Sequence, residues 1–165
     1  MAGIDYKALY TLQDKVLKII FDTEKTFYLT GGTCLSRFYI EKRYSDDLDL
    51  FCINNARFSI ALKNLEFILK QNFQVAKEVS ARDFVRLKIN NLLQIDFVND
   101  YVYHHGDYNQ LNNGIILDNI PNILANKITA VIGRDNAKDF VLIIEHIREK
   151  KKNIKKCQNQ VKGFK

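Results

Sequence analysis

The sequence predicts an α+β (mixed α/β) fold: a small mixed β-sheet flanked by helices, with a C-terminal helical pair. Three observations carry that expectation. The chain has 165 residues, the length of one domain. Helical and strand periodicities follow one another in the order α-β-α-β-α-β-β-β-α-α, which is neither a doubly wound sheet nor a sandwich. Asn90-Asn91 separates two alternating segments, and asparagine tolerates the positive φ that a tight hairpin needs.

The elements follow in order. Residues 5–22 place Leu9, Leu12, Val16 and Ile19 on one stripe, the signature of an amphipathic helix. Residues 26–29 form a short apolar run ending at Gly31-Gly32, a strand entering a turn, and a helix over 33–40 starts at those glycines. Residues 47–53 alternate as a strand does. Phe58, Leu62, Leu65 and Leu69 mark a helix ending near Asn72, and residues 74–79 read as a strand. Across 84–89, Arg86 and Lys88 face one way while Val85, Leu87 and Ile89 face the other; after the asparagine turn, 92–98 returns as a more apolar strand. Residues 99–114 are polar and read as loop. Pro121 opens a helix running to about Ile132, and Gly133 ends it. Residues 136–150 form a last amphipathic helix on Phe140, Ile143, Ile144 and Ile147.

Composition excludes several classes. With 47% hydrophobic residues, eight tyrosines and eleven phenylalanines, the chain is not intrinsically disordered. No run of about 18 apolar residues exists to span a membrane, and the N-terminus lacks the basic start and apolar core of a signal peptide. Cys34, Cys52 and Cys157 lack paired spacing, which suits reduced thiols in a cytoplasmic protein with packing roles. The net charge is +6, yet residues 148–165 hold Arg148 and seven lysines against Glu149, so the remaining chain is −1. Such a tail either reaches phosphates electrostatically or is a solvated terminus. One domain over 1–150 and a basic tail over 151–165 is the expected organisation.

The chemistry concentrates in residues 27–51. Paired glycines at 31–32, with Thr33, let backbone N–H groups approach an anion without a Cβ in the way; taken alone, they also make an ordinary strand–helix turn. Asp47 and Asp49 stand at i and i+2 of a strand, on one face. Two carboxylates there repel unless a cation joins them, and hard oxygen ligands suit Mg²⁺ or Mn²⁺; the alternative is a strand edge with both groups in water. Asp96 is a lone carboxylate in a strand of Leu, Ile, Phe and Val. It needs a partner, and the same cation is the simplest, unless the group sits at a surface strand end. His104-His105, in the polar loop, reads as exposed.

A strand, a Gly-Gly turn, a helix and then a D-x-D on the next strand resembles the polymerase-beta-like nucleotidyltransferase superfamily. More narrowly, GGTCLSRFYIEKRYSDDLDL is similar to the AbiEii-type nucleotidyltransferase toxins. Fourteen residues separate Gly32 from Asp47, and Arg43, Ser45, Asp47 and Asp49 fall in the pattern. Asp96 matches the superfamily's third carboxylate. Residues 125–128, with Lys127, and 134–140, with Asp139, match a later lysine and arginine–aspartate segment. Cys34 stands where alanine is usual, and Lys138-Asp139 replaces the arginine–aspartate pair.

The resemblance implies a nucleotidyltransferase fold and a Mg²⁺- or Mn²⁺-dependent transfer of NMP from an NTP to an acceptor hydroxyl. Asp47, Asp49 and Asp96 would be catalytic metal ligands. Gly31, Gly32, Thr33, Arg43, Ser45, Lys127 and Asp139 would bind the nucleotide. From the residues alone, Lys127 shares an apolar stripe with Ile123 and Val131, and Asp139 with Ile143 and Ile147, so a structural Lys127–Asp139 salt bridge is the alternative. RNA is the expected acceptor and an antitoxin protein the expected partner, with no membrane role. The alternatives are a non-catalytic RNA-binding module on the same fold and a small-molecule, antibiotic-type nucleotidyltransferase.

Overall fold

The computed structural model describes residues 5–40 and 44–133. It divides into two compact units, residues 1–123 and 124–165. The first unit holds a seven-stranded mixed sheet in the order β3-β4-β5-β2-β1-β7-β6.

Helix α1 (Tyr6–Thr23) starts at Asp5, whose carboxylate accepts from Lys7 N at 3.0 Å and Ala8 N at 3.1 Å. It buries Leu9, Leu12, Val16, Leu17, Ile20 and Phe21, so the stripe runs through Ile20 instead of Ile19. Strand β1 (Tyr28–Thr30) ends in α2 (Gly31–Leu35), which continues as a π-helical turn (Ser36–Ile40). β2 (Asp47–Ile53), α3 (Phe58–Asn72), β3 (Val75–Ser80), β4 (Phe84–Ile89) and β5 (Leu93–Asp100) follow. Asn90 and Asn91 take φ of 51° and 53°, closing the β4–β5 hairpin as their chemistry predicts. Of two very short strands, β6 (Asn109–Gln110) corrects the expected loop over 99–114, and β7 (Ile116–Leu117) lies just beyond it. Their two-residue lengths leave no periodicity to read. Helix α4 (Ile120–Gly133) begins one residue before Pro121. The helix expected over 136–150 and the tail over 151–165 lie outside the described residues.

At the centre, β2 and β5 run parallel, with α3, β3 and β4 intervening in the chain. β1 joins β2 antiparallel, and β4 joins β5 antiparallel. This alternation gives the sheet two different faces. One carries Leu48, Leu50, Val85, Leu87, Ile95 and Phe97, all buried. Phe27 links that layer to α3, with its ring 5.2 Å from Phe97 and 6.0 Å from Phe58. Each such side chain removed from water contributes about 1.5–3 kcal/mol, so the register of the central strands is firmly set. The other face carries Thr30, Asp47, Asp49, Arg86, Gln94 and Asp96. Among the described residues, no helix is long and apolar enough to cross a membrane.

A candidate carboxylate site on the sheet face

The polar face is built by register. Asp49 pairs with Asp96 across the parallel β2–β5 ladder, and Asp47 pairs with Gln94. Paired residues on adjacent strands share a face at the strand spacing of about 4.8 Å. The three carboxylates therefore occupy neighbouring positions, two on β2 and one on β5. Asp47 and Asp49 are half-buried, whereas Asp96 is 8% exposed.

Asp96 has a cationic side-chain partner, Arg86, where the sequence reading took a metal cation as the simplest one. Arg86 Nε donates to Asp96 Oδ1 at 2.7 Å, and Arg86 Nη2 donates to Oδ2 at 2.7 Å. Gln94 Nε2 adds a longer bond to Oδ2 at 3.3 Å. The Arg86–Asp96 cross-strand pairing places the guanidinium opposite the carboxylate. Hydrogen bonding to Asp96 raises the Arg86 pKa further above its ordinary value. The alternation of β4 showed that Arg86 faces one side; only the register showed that this side is Asp96's.

The glycine turn is fitted to the same face. Gly31 has φ +72°, and a Cβ there would stand 1.9 Å from Asp49 Oδ2. Only glycine leaves the carboxylate this room. A Cβ on Gly32 would meet Ser45 Oγ at 3.3 Å, and Thr33 Oγ1 donates to the Asp47 carbonyl. Ser45 is held from behind by α1: its N–H donates to Tyr10 Oη at 3.1 Å, and Gln13 Nε2 donates to its carbonyl at 3.1 Å. Thus Gly31, Gly32, Thr33, Ser45, Asp47, Asp49 and Asp96 are brought together. Lys127 lies on α4 in the second unit, half-exposed. Arg43 and Asp139 lie outside the described residues.

Beneath the turn is a polar network that the sequence reading missed. Asp118 is fully buried. Its Oδ2 accepts from Thr30 Oγ1 at 2.6 Å and its Oδ1 pairs with His104 Nε2 at 2.9 Å. Its carbonyl accepts from Tyr39 Oη at 2.7 Å, and its N–H donates to the Leu29 carbonyl at 2.8 Å. His104, expected in water, is instead part-buried beside Tyr28 and Tyr108. A signal existed: Asp118 follows an apolar run, Ile115-Ile116-Leu117, much as Asp96 interrupts one. Burial, and then the charge of Asp118, push the Tyr28 hydroxyl pKa up, and burial likewise raises the Cys34 thiol. Both groups stay protonated at neutral pH.

Among the described residues, no group of three His, Cys, Asp or Glu converges as a ready metal cage. The donor chemistry nevertheless fits a hard divalent cation. Asp47 and Asp49 put two carboxylates on one face, and the missing Cβ of Gly31 is what accommodates the second. Asp96 is adjacent, with both of its oxygens engaged by Arg86.

A family model described as "Nucleotidyl transferase AbiEii toxin, Type IV TA system" matches residues 18–141. No curated protein sequence matches the chain. Several solved structures share its fold. The Helicobacter pylori protein JHP933 is 18% identical at a TM-score of 0.53, covering 77% of this chain and 57% of its own. A Megavirus polyadenylate synthase is 17% identical at 0.59, covering 84% of this chain and 31% of its own. The antibiotic-resistance factor ANT(2'')-Ia is 12% identical at 0.57, covering 95% of this chain and all of its own. The chain thus spans less than three fifths of the H. pylori protein and about a third of the viral one.

Proposed function

We propose, from the premise that this chain belongs to the AbiEii nucleotidyl transferase toxin family, that it moves an NMP from an NTP to a hydroxyl of RNA. One observation carries the reading: Asp47, Asp49 and Asp96 occupy adjacent same-face positions beside a glycine that yields space to Asp49. An antitoxin protein would be the partner and the cytoplasm the location.

The chain's residues divide the work. The Gly31–Thr33 turn receives the triphosphate, with Ser45 behind it. Asp47, Asp49 and Asp96 would hold Mg²⁺ or Mn²⁺. The bound cation supplies Lewis-acid neutralisation of charge on the phosphoryl oxygens. Asp96 would also help take the acceptor's proton. The acceptor oxygen forms a bond to the α-phosphorus, the bond to pyrophosphate breaks, and pyrophosphate leaves with that electron pair. By the family resemblance, Arg43 and Lys127 would offset phosphate charge, Asp139 would bind the nucleotide, and the basic tail over 151–165 would engage the RNA backbone.

The test is incubation of the protein with Mg²⁺, each α-labelled NTP and total RNA. Label enters RNA with the wild-type chain, and Asp49→Asn lowers the rate by about 100-fold or more while the fold persists. Equal labelling by Asp49→Asn overturns the assignment. An aminoglycoside in place of RNA separates the small-molecule reading, which requires label on the drug.

A further inference from the structure

We infer that Arg86 is the resting counter-ion of Asp96 and surrenders that carboxylate when the metal–nucleotide substrate arrives, so that substrate entry and release of the Arg86–Asp96 pair are one coupled event. This rests on the proposed function, since it concerns what Asp96 does between turnovers.

Four observations support it. First, the pair is a fork: Nε and Nη2 each contact a different oxygen of Asp96 at 2.7 Å, the strongest geometry for a guanidinium and a carboxylate. Second, Asp96 cannot stand alone. It is 8% exposed and stands in register with Asp49, so without a cation it would be both desolvated and repelled. Third, its coordination is nearly filled, since Oδ2 also accepts from Gln94 at 3.3 Å. Three of the carboxylate's four or so lone-pair positions are thus engaged, so a metal ion that takes Asp96 as a ligand competes with Arg86 for it.

Fourth, Arg86 has somewhere to go. Its side chain is 33% exposed, against 12% for Asp96, so release carries the guanidinium toward water and not into the core. The Phe84 ring, already 5.6 Å from its Cζ, can keep hold of the guanidinium as it leaves Asp96. Asp47 and Glu78 also lie close enough to act on its charge. The exchange is therefore between two cations for one carboxylate, with neither partner left buried and unpaired. Arg86 is a positioning residue by this account. It keeps the carboxylate face charge-balanced and Asp96 unavailable as a base until the substrate brings its own cation.

The side-chain Nε–H resonance of Arg86 in the ¹⁵N-labelled full chain reads the pair directly. Mg²⁺ with a non-hydrolysable α,β-methylene NTP, each base in turn, is the probe, and the Gly31 and Gly32 amides report site occupancy. The expected result is that the Arg86 Nε–H signal moves and exchanges faster with water as those amides shift. A parallel titration follows Mn²⁺ affinity in Arg86→Met, which keeps the stem and removes the competing charge; affinity should tighten by about tenfold. If the glycine amides shift while the Arg86 signal stays fixed in the wild-type chain, the pair is structural only and the inference falls. If no nucleotide perturbs the glycine amides, the proposed function falls and takes this inference with it. The wild-type spectrum decides the matter even if Arg86→Met fails to fold.

Discussion

At the scale of single residues, Gly31 makes the most stringent demand. Its φ of +72° disfavours any side chain, and the Cβ of alanine would collide with Asp49 Oδ2 at 1.9 Å. The backbone term alone costs about 1–2 kcal/mol. Gly31→Ala should therefore fold with a lowered melting temperature and lose at least about tenfold in labelling of RNA, because Asp49 must swing away. A melt and the labelled-NTP assay check both halves; wild-type activity in that variant would show that Asp49's present position is not the working one. Gly31, Asp47 and Asp49 were all readable in the sequence, because i and i+2 of a strand share a face whatever the tertiary context. Arg86 and Asp118 were not. Their partners lie far off in the chain, Asp96 on β5 for Arg86 and Thr30, Tyr39 and His104 for Asp118, and such proximity is a tertiary fact. His104 shows the same limit from the other side: local polarity placed it in water, whereas a buried carboxylate 14 residues on draws it inward.

At the scale of elements, the amphipathic segments were legible and the two-residue strands were not. β2, β4 and α3 have the bounds their periodicity predicts, and the Asn90-Asn91 turn adopts the positive φ that its composition favours. β6 and β7 pair over two residues each, held by the β1–β7 ladder at Leu29–Leu117 more than by any propensity of their own. Edge strand β3 is fastened to α3 through Glu66, which bonds Lys70 at 2.8 Å and Lys77 at 2.6 Å. Burial alone would raise the Glu66 pKa, but the hydrogen bonds from Lys70 and Lys77 outweigh it and bring it below its ordinary value. A carboxyl lowered in the folded state stabilises fully above its unfolded pKa of about 4.3 and loses that contribution as pH falls through the folded value. The lysines are about half exposed, so the contribution is limited to about 1 kcal/mol. Urea unfolding midpoints between about pH 3 and pH 6 should fall less steeply for Glu66→Gln than for the wild-type chain. Parallel curves would show that the Glu66 pair contributes nothing measurable.

At the scale of the whole molecule, the sheet order is what makes a site from residues far apart in the chain. Strands β2 and β5 are neighbours although α3, β3 and β4 separate them, and this adjacency carries Asp96 to Asp49. The family match covers this whole region, from within α1 to residue 141. The central claim is that this carboxylate face is the metal and nucleotide site. Diffraction from crystals grown with Mn²⁺ and a non-hydrolysable NTP tests it most directly. The account predicts an anomalous peak within about 2.5 Å of carboxylate oxygens of both Asp47 and Asp49, with the triphosphate against Gly31 and Gly32. A nucleotide bound elsewhere, with no Mn²⁺ between Asp47 and Asp49, would contradict it.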